Sequence, residues 1–343
     1  MTARVRLGFL GVGWIGRHRM AAIERDGQVE IVGFADPSSE RRDVAQTLAP
    51  AATACEHLGQ LLELPLDGIV IATPSALHAE HCLAALGRGL AVFCQKPLAR
   101  NADETRRVIT AARDANCLLG VDLSYRHTAA VRRLREVIRG GGIGRVFSVD
   151  LTFHNAYGPD AEWFYDKASS GGGCVIDLGV HLIDLVLWLL DFPAVETIDS
   201  QLFARGARLI DDSVVEDYAA VQLRLAGDVA VRLTSSWRIS AGRDAVIEAT
   251  WFGTEGGAAL KNIGGSFYDF VTERYRGRQR EQLATPPDDW GGRAAVDWVS
   301  RLAQGAGFDA DAERLVDIAS VIDRIYAARG AGVAQPASAR TNG

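Results

Sequence analysis

The sequence contains very little lysine. Of its 37 basic residues only Lys96, Lys167 and Lys261 are lysines, so arginine supplies nearly every positive charge. Arginine keeps its proton throughout the physiological pH range, whereas a lysine amine can be tuned to release one. Lys96 closely follows the apolar run 90–94, which has the pattern of a buried strand. It is therefore a candidate for proton chemistry, the alternative being an ordinary surface lysine at the end of a strand.

Three further absences narrow the class of protein. The five cysteines form no C-x-x-C motif and no disulfide-like spacing, which favours reduced thiols in a cytoplasmic protein. The net charge of −6 is spread out with no basic stripe, which argues against a nucleic-acid partner. The longest apolar run, 174–190, is broken by Asp177, His181 and Asp184, which argues against a membrane span. The length of 343 residues favours two globular domains.

A glycine-rich turn follows the first apolar run. Residues 5–10 have the pattern of a strand and lead into Gly11-Val12-Gly13-Trp14-Ile15-Gly16, which matches G-x-G-x-x-G. In this pattern the first glycine permits a tight turn, the second lets a pyrophosphate approach the backbone, and the third lets the helix pack on the strand. The helix that opens at Trp14 and Ile15 offers free N–H groups to the phosphates. The turn therefore predicts a dinucleotide site at Gly11, Gly13, Trp14, Ile15 and Gly16.

An acidic residue bears on the choice of dinucleotide. Asp36 follows a second apolar run, 29–35, and lies 20 residues after Gly16. A carboxylate at that point can accept a hydrogen bond from the ribose 2′-hydroxyl of NAD, and it repels a 2′-phosphate. Arg41 and Arg42 follow closely and could receive such a phosphate. The sequence therefore favours NAD as the cofactor and leaves NADP possible.

The pattern of apolar runs changes after residue 122. Before it, strand-like runs (5–10, 29–35, 68–72, 90–94 and 117–121) alternate with helical stretches (14–25, 38–48, 57–63, 75–87 and 101–115). This alternation predicts an α/β Rossmann domain, 1–122, with a doubly wound parallel sheet. Later strand-like runs alternate in polarity (146–153, 197–204, 217–225 and 229–237). They predict an α+β domain, 123–330, with a mostly antiparallel open sheet, followed by a flexible tail, 331–343.

A second glycine-led segment carries polar residues on an apolar helix. Three glycines, 171–173, precede Asp177, His181 and Asp184, which are spaced to share one helix face. Burying such groups without hydrogen-bond partners costs about 1–3 kcal/mol each, so the presence of three polar residues on an apolar helix has to be explained. A catalytic histidine, a helix with one wet face, a core histidine bonded to Asp184 and a metal site are the alternatives. Because no convincing third ligand accompanies the pair, we predict no metal.

The motifs follow one another in a characteristic order. The dinucleotide turn precedes Thr73-Pro74-Ser75-Ala76-Leu77-His78, then Gln95-Lys96-Pro97, then the glycine-led helix with Asp177 and His181. In this order and spacing the chain resembles the Gfo/Idh/MocA oxidoreductases, from about Arg4 to about Gly265. The resemblance implies that Thr73, Pro74 and His78 lie beside the cofactor. It also implies that Lys96, Asp177 and His181 meet at the nicotinamide and bind the substrate there.

Gln95 departs from the family pattern, which usually has glutamate at this position. The family side chain is expected to touch the nicotinamide ribose, so the resemblance implies a cofactor contact for Gln95 as well as for Lys96. A glutamine can still form a hydrogen bond there, but it carries no charge. A weaker departure follows at Tyr125-Arg126-His127, where Arg126 matches an arginine of the family and His127 replaces an aromatic residue.

The loop 154–167 is long, aromatic and rich in polar groups. Ring faces can stack on the C–H surfaces of a polyol while polar tips bind its hydroxyls. The family likeness implies that Trp163 and Arg126 contact the substrate, the alternative for the loop being a packed surface segment. A phosphorylated sugar would need several clustered cations, and only Arg126 and Lys167 are obvious candidates. We therefore expect an uncharged sugar, sugar derivative or cyclitol.

The expected reaction is hydride transfer between NAD(P) and a hydroxyl or ketone. We assign the base to His181 and stabilisation of the reacting oxygen to Lys96, two roles that could be exchanged. Asp177 would orient His181 or bind a neighbouring hydroxyl. A regulator that binds NAD without chemistry and an NAD-dependent glycosidase are the alternatives. We expect a homo-dimer or homo-tetramer formed through the open sheet, and no nucleic-acid or membrane partner.

Overall fold

The first layered unit is built from alternating strands and helices. The structure is a computed structural model that describes residues 4–329, so the predicted tail 331–343 lies outside the described residues. The strands are β1 (Val5–Leu10), β2 (Val29–Ala35), β3 (Thr53–Cys55), β4 (Gly68–Ile71), β5 (Ala91–Cys94) and β6 (Leu119–Val121). The helices are α1 (Trp14–Asp26), α2 (Ser39–Leu48), α3 (Leu58–Leu61), α4 (Ser75–Leu86) and α5 (Ala102–Asp114).

The six strands form one parallel sheet in the order β3-β2-β1-β4-β5-β6. This is the doubly wound arrangement that the alternating runs predict, and that prediction is confirmed. The predicted helix 57–63 is shorter, a single turn at Leu58–Leu61, and the three-residue strand Thr53–Cys55 was not predicted. Reversal of strand order between β1 and β4 creates a crevice at the carboxyl edge of the sheet, where ligands bind in such folds.

The second sheet follows a run of helices and is mostly antiparallel. Its strands are β7 (Val146–Asn155), β8 (Val195–Ala204), β9 (Ala207–Arg208), β10 (Tyr218–Leu225), β11 (Val229–Ser236), β12 (Ala245–Gly253), β13 (Gly256–Asn262), β14 (Phe270–Arg276) and β15 (Gln279–Ala284). The order is β15-β14-β13-β12-β7-β11-β10-β8-β9, with β7 and β11 parallel and the other neighbours antiparallel. The predicted mostly antiparallel open sheet is therefore confirmed, although its strands from Ala245 onward were not predicted.

Helices cover one face of the second sheet. Those that pack on it are α6 (Ala129–Arg139), α8 (Val180–Leu189) and α10 (Arg314–Ala328). The other helices of this half are α7 (Lys167–Ser170) and α9 (Arg293–Ala303), with 3₁₀ turns at Ser124–His127, Glu162–Tyr165 and Ala310–Glu313. Along β7 the side chains of Val149, Leu151 and Phe153 are buried, whereas Asp150 and Thr152 on the other face are only partly covered. The second sheet thus has one face packed on the core and one face open.

Helix α9 returns from the second half of the chain to the first sheet. The indole of Trp298 is buried against Phe93, with ring centroids 5.7 Å apart. Gly68 and Gly120 make room for it, because a Cβ at either position would lie 2.9 or 2.8 Å from Trp298 atoms. The predicted division of the chain at residue 122 stays a prediction, with the addition that Arg293–Ala303 completes the core of the first unit.

The glycine-led segment forms part of the most apolar helical stretch. Lys167–Leu189 is long and apolar enough to cross a membrane by length and composition, yet 83% of its most apolar window is buried inside the protein. Burial of this kind is usual for the core helix of a soluble protein. The stretch contains a π-helical segment, Val175–Gly179, directly before α8. Such segments widen one turn of a helix and occur often at functional sites.

Candidate active site

The glycine turn has the geometry that each of its glycines was predicted to supply. Gly11 has φ +84°, and a Cβ there would lie 2.5 Å from the carbonyl oxygen of Ala72. A Cβ on Gly16 would lie 2.0 Å from the carbonyl oxygen of Gly11, so this helix packs closely on the turn. Gly13 has open space around its Cβ position, which leaves its backbone accessible to a large ligand. Trp14 is 64% exposed at the start of α1.

Asp36 is held by the same turn. Its Oδ2 accepts a hydrogen bond from the Val12 N–H at 3.0 Å, and its Oδ1 accepts one from the Ser38 N–H at 3.0 Å. The carboxylate is therefore fixed at the end of β2 and is almost fully buried. A guanidinium nitrogen of Arg41 lies 3.9 Å from Oδ1, and Arg42 donates to the backbone carbonyl of Asp36 at 2.7 Å.

His78 joins two loops of the crevice. Its ring nitrogens lie 2.7 Å from the carbonyl oxygens of Thr73 and Pro97, which belong to the loops after β4 and β5. Burial lowers the pKa of His78, and its hydrogen bonds to the two carbonyls partly oppose this. Because the side chain is 1% exposed, we revise its expected role from direct cofactor contact to holding these loops together. Pro74 precedes α4, so it lies where the first of the two loops ends.

Gln95 belongs to a buried polar network that sequence analysis missed. Its amide Nε2 donates to Asp122 Oδ2 at 2.6 Å, and Arg19 Nε donates to the same oxygen at 2.5 Å. Ser124 bonds to the other carboxylate oxygen and accepts from Arg19 at 3.2 Å. Gln95 and Asp122 directly follow adjacent strands, β5 and β6, whereas Arg19 reaches them from α1. No sequence signal joins these residues, because 103 positions separate Arg19 from Asp122.

Lys96 and Asp177 come together from the two halves of the chain. The Lys96 ammonium donates to Asp177 Oδ1 at 2.7 Å and to the Asp177 backbone carbonyl at 2.7 Å. The second carboxylate oxygen, Oδ2, accepts from the indole N–H of Trp237 at 3.0 Å. Asp177 therefore serves Lys96 and Trp237, and not His181 as one of our expectations had it. Trp237 follows β11, and no motif in the sequence marked it.

His181 lies beside this ion pair with its ring nitrogens unengaged. Among the hydrogen bonds found within residues 4–329, none involves its imidazole. Its ring packs edge-on against Tyr125, with centroids 4.8 Å apart, and lies 6.3 Å from the ring of Phe153. Burial, and then the nearby Lys96 ammonium, hold the pKa of His181 well below its usual range. The ring is therefore neutral near pH 7, with at least one nitrogen able to accept a proton.

A buried carboxylate fixes the start of the glycine-led helix. Glu216 accepts hydrogen bonds from the Gly173 N–H at 3.1 Å and the Val175 N–H at 2.9 Å. The hydroxyl of Tyr326, in α10, donates to the same group at 2.9 Å. Burial raises the pKa of Glu216, while these donors favour its charged form. A Cβ on Gly173 would lie 1.9 Å from the Glu216 carbonyl oxygen, so only glycine fits there.

Two predicted substrate contacts are engaged elsewhere. Arg126 forms an ion pair with the buried carboxylate of Asp184, with Nε 3.0 Å from each oxygen, and its guanidinium lies 5.3 Å from the ring centroid of Trp188. Asp184 thus binds Arg126 and not His181, although Asp184 and His181 lie in the same helix, α8. Trp163 stacks on Phe164 at 3.8 Å, and Phe164 in turn lies 6.4 Å from Trp237. Trp237 therefore stands closer to the Lys96–Asp177 pair than Trp163 does.

The chemistry available at this crevice follows from its donors and acceptors. An ammonium, a carboxylate that holds it and a neutral imidazole can bind a hydroxyl oxygen and take up its proton. Within residues 4–329 no group of three or more His, Cys, Asp or Glu side chains could hold a metal ion.

Two family models together match most of the chain. Residues 5–123 match an oxidoreductase family with an NAD-binding Rossmann fold, and residues 131–259 match the GFO/IDH/MocA C-terminal domain. The chain belongs to the GFO/IDH/MocA oxidoreductase family. The predicted resemblance is thereby confirmed, and so is membership of an NAD-binding family.

Individual relatives are similar over shorter stretches. A 1,5-anhydro-D-fructose reductase of Ensifer adhaerens is 31% identical over 61% of this chain and 64% of its own length. A D-glucoside 3-dehydrogenase of Escherichia coli is 27% identical over 60% of this chain and 59% of its own length. The chain thus matches about three fifths of the length of these two relatives. A levoglucosan dehydrogenase solved with NADH superposes with a TM-score of 0.82 at 21% identity, covering 95% of this chain and 97% of that one.

Proposed function

We propose that this protein is an NAD(P)-dependent dehydrogenase that acts on a CH–OH group of an uncharged sugar, sugar derivative or cyclitol. The observation that carries the proposal is the meeting of Lys96, Asp177 and His181 at the carboxyl edge of the dinucleotide-type sheet. These residues come from opposite halves of the chain, 81 positions apart in the case of Lys96 and Asp177. A base and a hydrogen-bond donor at this edge are what hydride transfer from an alcohol requires.

The residues of the first crevice fit a dinucleotide. Gly11 and Gly16 are positions that a Cβ would block, whereas Gly13 opens on empty space, the combination that a pyrophosphate needs. Gln95 and the loop at Thr73 and Pro74 would flank the nicotinamide end. The nicotinamide, when bound, supplies the hydride acceptor for oxidation or the hydride donor for reduction.

The protein groups handle the proton. In the oxidative direction neutral His181 would take the proton from the substrate hydroxyl, while the carbon that bears this hydroxyl gives up its hydride to the nicotinamide. The Lys96 ammonium donates a hydrogen bond to the oxygen, on which negative charge develops. Asp177 aligns Lys96 through its Oδ1 and is itself oriented by Trp237. In the reductive direction His181 returns the proton.

The charges near the crevice favour an uncharged substrate. Arg126 and Lys167, the two cations considered for a substrate phosphate, bind Asp184 and Asp212 instead. Names of relatives agree with sugar or cyclitol substrates, among them a D-glucoside 3-dehydrogenase and a myo-inositol 2-dehydrogenase of Thermotoga maritima. We propose that the ring of Trp163, which is partly exposed in the loop 154–167, faces the C–H surface of the polyol, while the buried Trp237 orients Asp177.

The cofactor proposal favours NAD. Asp36 presents a fixed, buried carboxylate directly after β2, which suits the ribose 2′-hydroxyl of NAD and repels a 2′-phosphate. Arg41 is close enough to offset this repulsion in part. We therefore expect NAD to bind more tightly than NADP, with measurable binding of both.

The first test is absorbance of reduced nicotinamide with purified protein, NAD or NADP, and a panel of uncharged sugars, glycosides and cyclitols. Reduction by one polyol class supports the proposal and ranks the cofactors. Tight cofactor binding without turnover across the panel would contradict it and favour a regulator. Release of sugar from a glycoside without net reduction would favour the NAD-dependent glycosidase.

We further propose that the protein works in the cytoplasm as a homo-dimer or homo-tetramer. The five cysteines are all buried and unpaired, which agrees with a reducing compartment. The open face of the second sheet offers a broad surface for a second copy of the chain. Light scattering of the purified protein tests the assembly.

A further inference from the structure

Buried polar side chains form a hydrogen-bonded network around Asp122, beside the crevice of the candidate active site. Arg19, Asp122 and Gln95 are all buried, with Asp122 only 1% exposed. Asp122 accepts from Arg19, Gln95 and Ser124, so its carboxylate has three donors and no solvent. Arg19 also lies 2.9 Å from His18 Nδ1. Because a guanidinium can only donate, His18 must accept through this nitrogen.

This arrangement dictates how Gln95 is oriented. A carboxylate only accepts hydrogen bonds, so Asp122 selects the amide NH₂ of Gln95 and turns the amide oxygen away from itself. Among the hydrogen bonds found in the described part of the chain, none uses that oxygen, Oε1. Position 95 therefore presents a fixed neutral acceptor to the crevice, whereas its neighbour Lys96 points to Asp177 in the other half of the chain.

The network has room for one carboxylate only. Among residues 4–329, Arg19 is the single cation that forms an ion pair with it. A glutamate at position 95 would bring a carboxylate oxygen to within about 2.6 Å of Asp122 Oδ2, in place of the present amide nitrogen. Two carboxylates at that distance cannot both be charged, and they share a proton until one of them moves away.

We propose that Arg19 and Asp122 are positioning residues for the cofactor, and that Asp122 supplies beside Gln95 the negative charge that a glutamate at position 95 would carry. Gln95 is then not a lost glutamate but one half of an exchanged pair, in which Asp122 supplies the charge and Gln95 the acceptor facing the nicotinamide ribose. This inference rests on the proposed function for the identity of the ligand. Gln95 and Asp122 then determine together which position beside the cofactor carries a negative charge.

A double-mutant cycle tests the exchange. We would measure NADH affinity by fluorescence, and the midpoint of thermal unfolding, for wild type, Gln95→Glu, Asp122→Asn and the double variant. Each single change should weaken NADH binding about tenfold, the first by adding a charge and the second by leaving Arg19 without one. The double variant restores one carboxylate and one amide, and should return to within about threefold of wild type.

The pH dependence gives a second readout. In Gln95→Glu the shared proton means that one carboxyl has a raised pKa in the folded protein. A carboxyl group whose pKa is higher in the folded than in the unfolded protein stabilises the fold at low pH, and this stabilisation is lost as the pH rises. The loss of stability in Gln95→Glu, relative to wild type, should therefore grow from pH 5 to pH 8. Wild type and the double variant should lack this added dependence.

A surface pair in the same chain is the matched control. Gln28 donates to Asp26 at 2.7 Å, the same chemistry as Gln95 and Asp122, but both groups are exposed. Gln28→Glu should leave NADH affinity and the unfolding midpoint almost unchanged, because water screens exposed charges. An effect equal to that of Gln95→Glu would overturn the argument from burial.

The outcomes separate this inference from the proposed function. Recovery in the double variant supports the exchanged pair, even if Gln95→Glu alone is insoluble. Additive losses, with the double variant worse than either single variant, overturn it. If wild type binds neither NADH nor NADPH, the proposed function fails, and the unfolding midpoints of the cycle still decide whether the pair is coupled.

Discussion

Asp177 is the residue on which the geometry of the site depends most. One of its carboxylate oxygens holds the Lys96 ammonium and the other holds the indole of Trp237, so the carboxylate cannot rotate without losing a partner. Lys96 bonds in addition to the backbone carbonyl of Asp177, which ties the ammonium to the glycine-led helix itself. This lysine therefore joins the two halves of the chain at the proposed active site.

Replacing Asp177 with asparagine should therefore misplace Lys96. The amide keeps the size of the side chain but removes the negative charge, and we expect turnover to fall by about tenfold or more with little change in cofactor affinity. Steady-state kinetics beside NADH binding measure both effects. Trp237→Phe, which removes one donor but no charge, is the matched control and should lose less. Equal losses in both variants would contradict a charge-based role.

His181 should act as the base down to a lower pH than an ordinary histidine could. Because burial and Lys96 lower its pKa, the imidazole stays neutral as the pH falls through the ordinary value of 6.5. The acidic limb of kcat/KM should therefore lie below pH 6.5, where protonation finally removes the base. His181→Asn should lower kcat by about 10²–10⁴-fold and abolish this limb while NADH still binds. Unchanged turnover in that variant would transfer the base role to another group.

Sequence reasoning identified these residues but not their bonding. Lys96, Asp177 and His181 stand in recognisable motifs, so their positions could be predicted. The partner of each side chain depends on which chain segments meet in space. Trp237 and Arg19 stand in no recognisable sequence motif. Arg126 was expected to bind the substrate and Asp184 was a possible partner of His181, but the two side chains pair with each other.

At the scale of the element, the glycine-led helix is shaped by what binds its first turn. Glu216 accepts from the N–H groups of Gly173 and Val175, and a negative group at this end also suits the helix dipole. The π-helical turn that follows carries Asp177 toward Lys96. The spacing rule that placed Asp177 on one face with His181 assumed a regular α-helix, which is why it could not foresee the separate partners.

Removing the Glu216 carboxylate should loosen this helix. Glu216→Ala leaves two buried N–H groups and the Tyr326 hydroxyl without an acceptor, and we expect a loss of about 1–3 kcal/mol in the free energy of unfolding. Glu216→Gln keeps one acceptor oxygen and should lose less. Chemical denaturation measures the difference, and Tyr326→Phe isolates the hydroxyl. A Glu216→Ala variant as stable as wild type would show that other contacts fix the helix.

Elements with strong periodicity were the most predictable. The first two strands, 5–10 and 29–35, were predicted to the residue, because each is a short, largely apolar run bounded by turn residues. Strand Thr53–Cys55 was missed because three residues give no period. Strands Gly256–Asn262 and Phe270–Arg276 were missed because their burial follows from neighbours across the sheet more than from alternation in the sequence.

At the scale of the whole molecule, the open face of the second sheet is the surface that we propose for assembly. Its centre carries Thr152 and Thr234, whose hydroxyls lie 3.3 Å apart on the parallel strands β7 and β11. Asp150 and Arg232 form an exposed ion pair beside them. Such a flat, partly polar surface without a covering helix is suited to another copy of the same sheet.

A long charged side chain in this face should weaken the assembly. Thr234→Arg places a guanidinium at its centre, and we expect the measured mass to fall toward that of one chain while the fold is retained. Light scattering with circular dichroism measures both. Val44→Arg, at an exposed apolar position on α2 in the first unit, is the control and should leave the mass unchanged. A fall in the measured mass of the assembly for Val44→Arg, without one for Thr234→Arg, would show that the interface lies elsewhere.

The return of α9 to the first sheet has a consequence for synthesis of the chain. All six strands of that sheet leave the ribosome long before Trp298 and Leu302, whose side chains fill the space left by Gly68, while the Trp298 indole also fills that left by Gly120. A nascent chain must therefore carry an unfilled apolar trench beside Phe93 until translation is nearly complete. We expect chaperones to bind the incomplete chain during that interval. A chain truncated before residue 293 should aggregate and should not fold as an independent dinucleotide-binding domain.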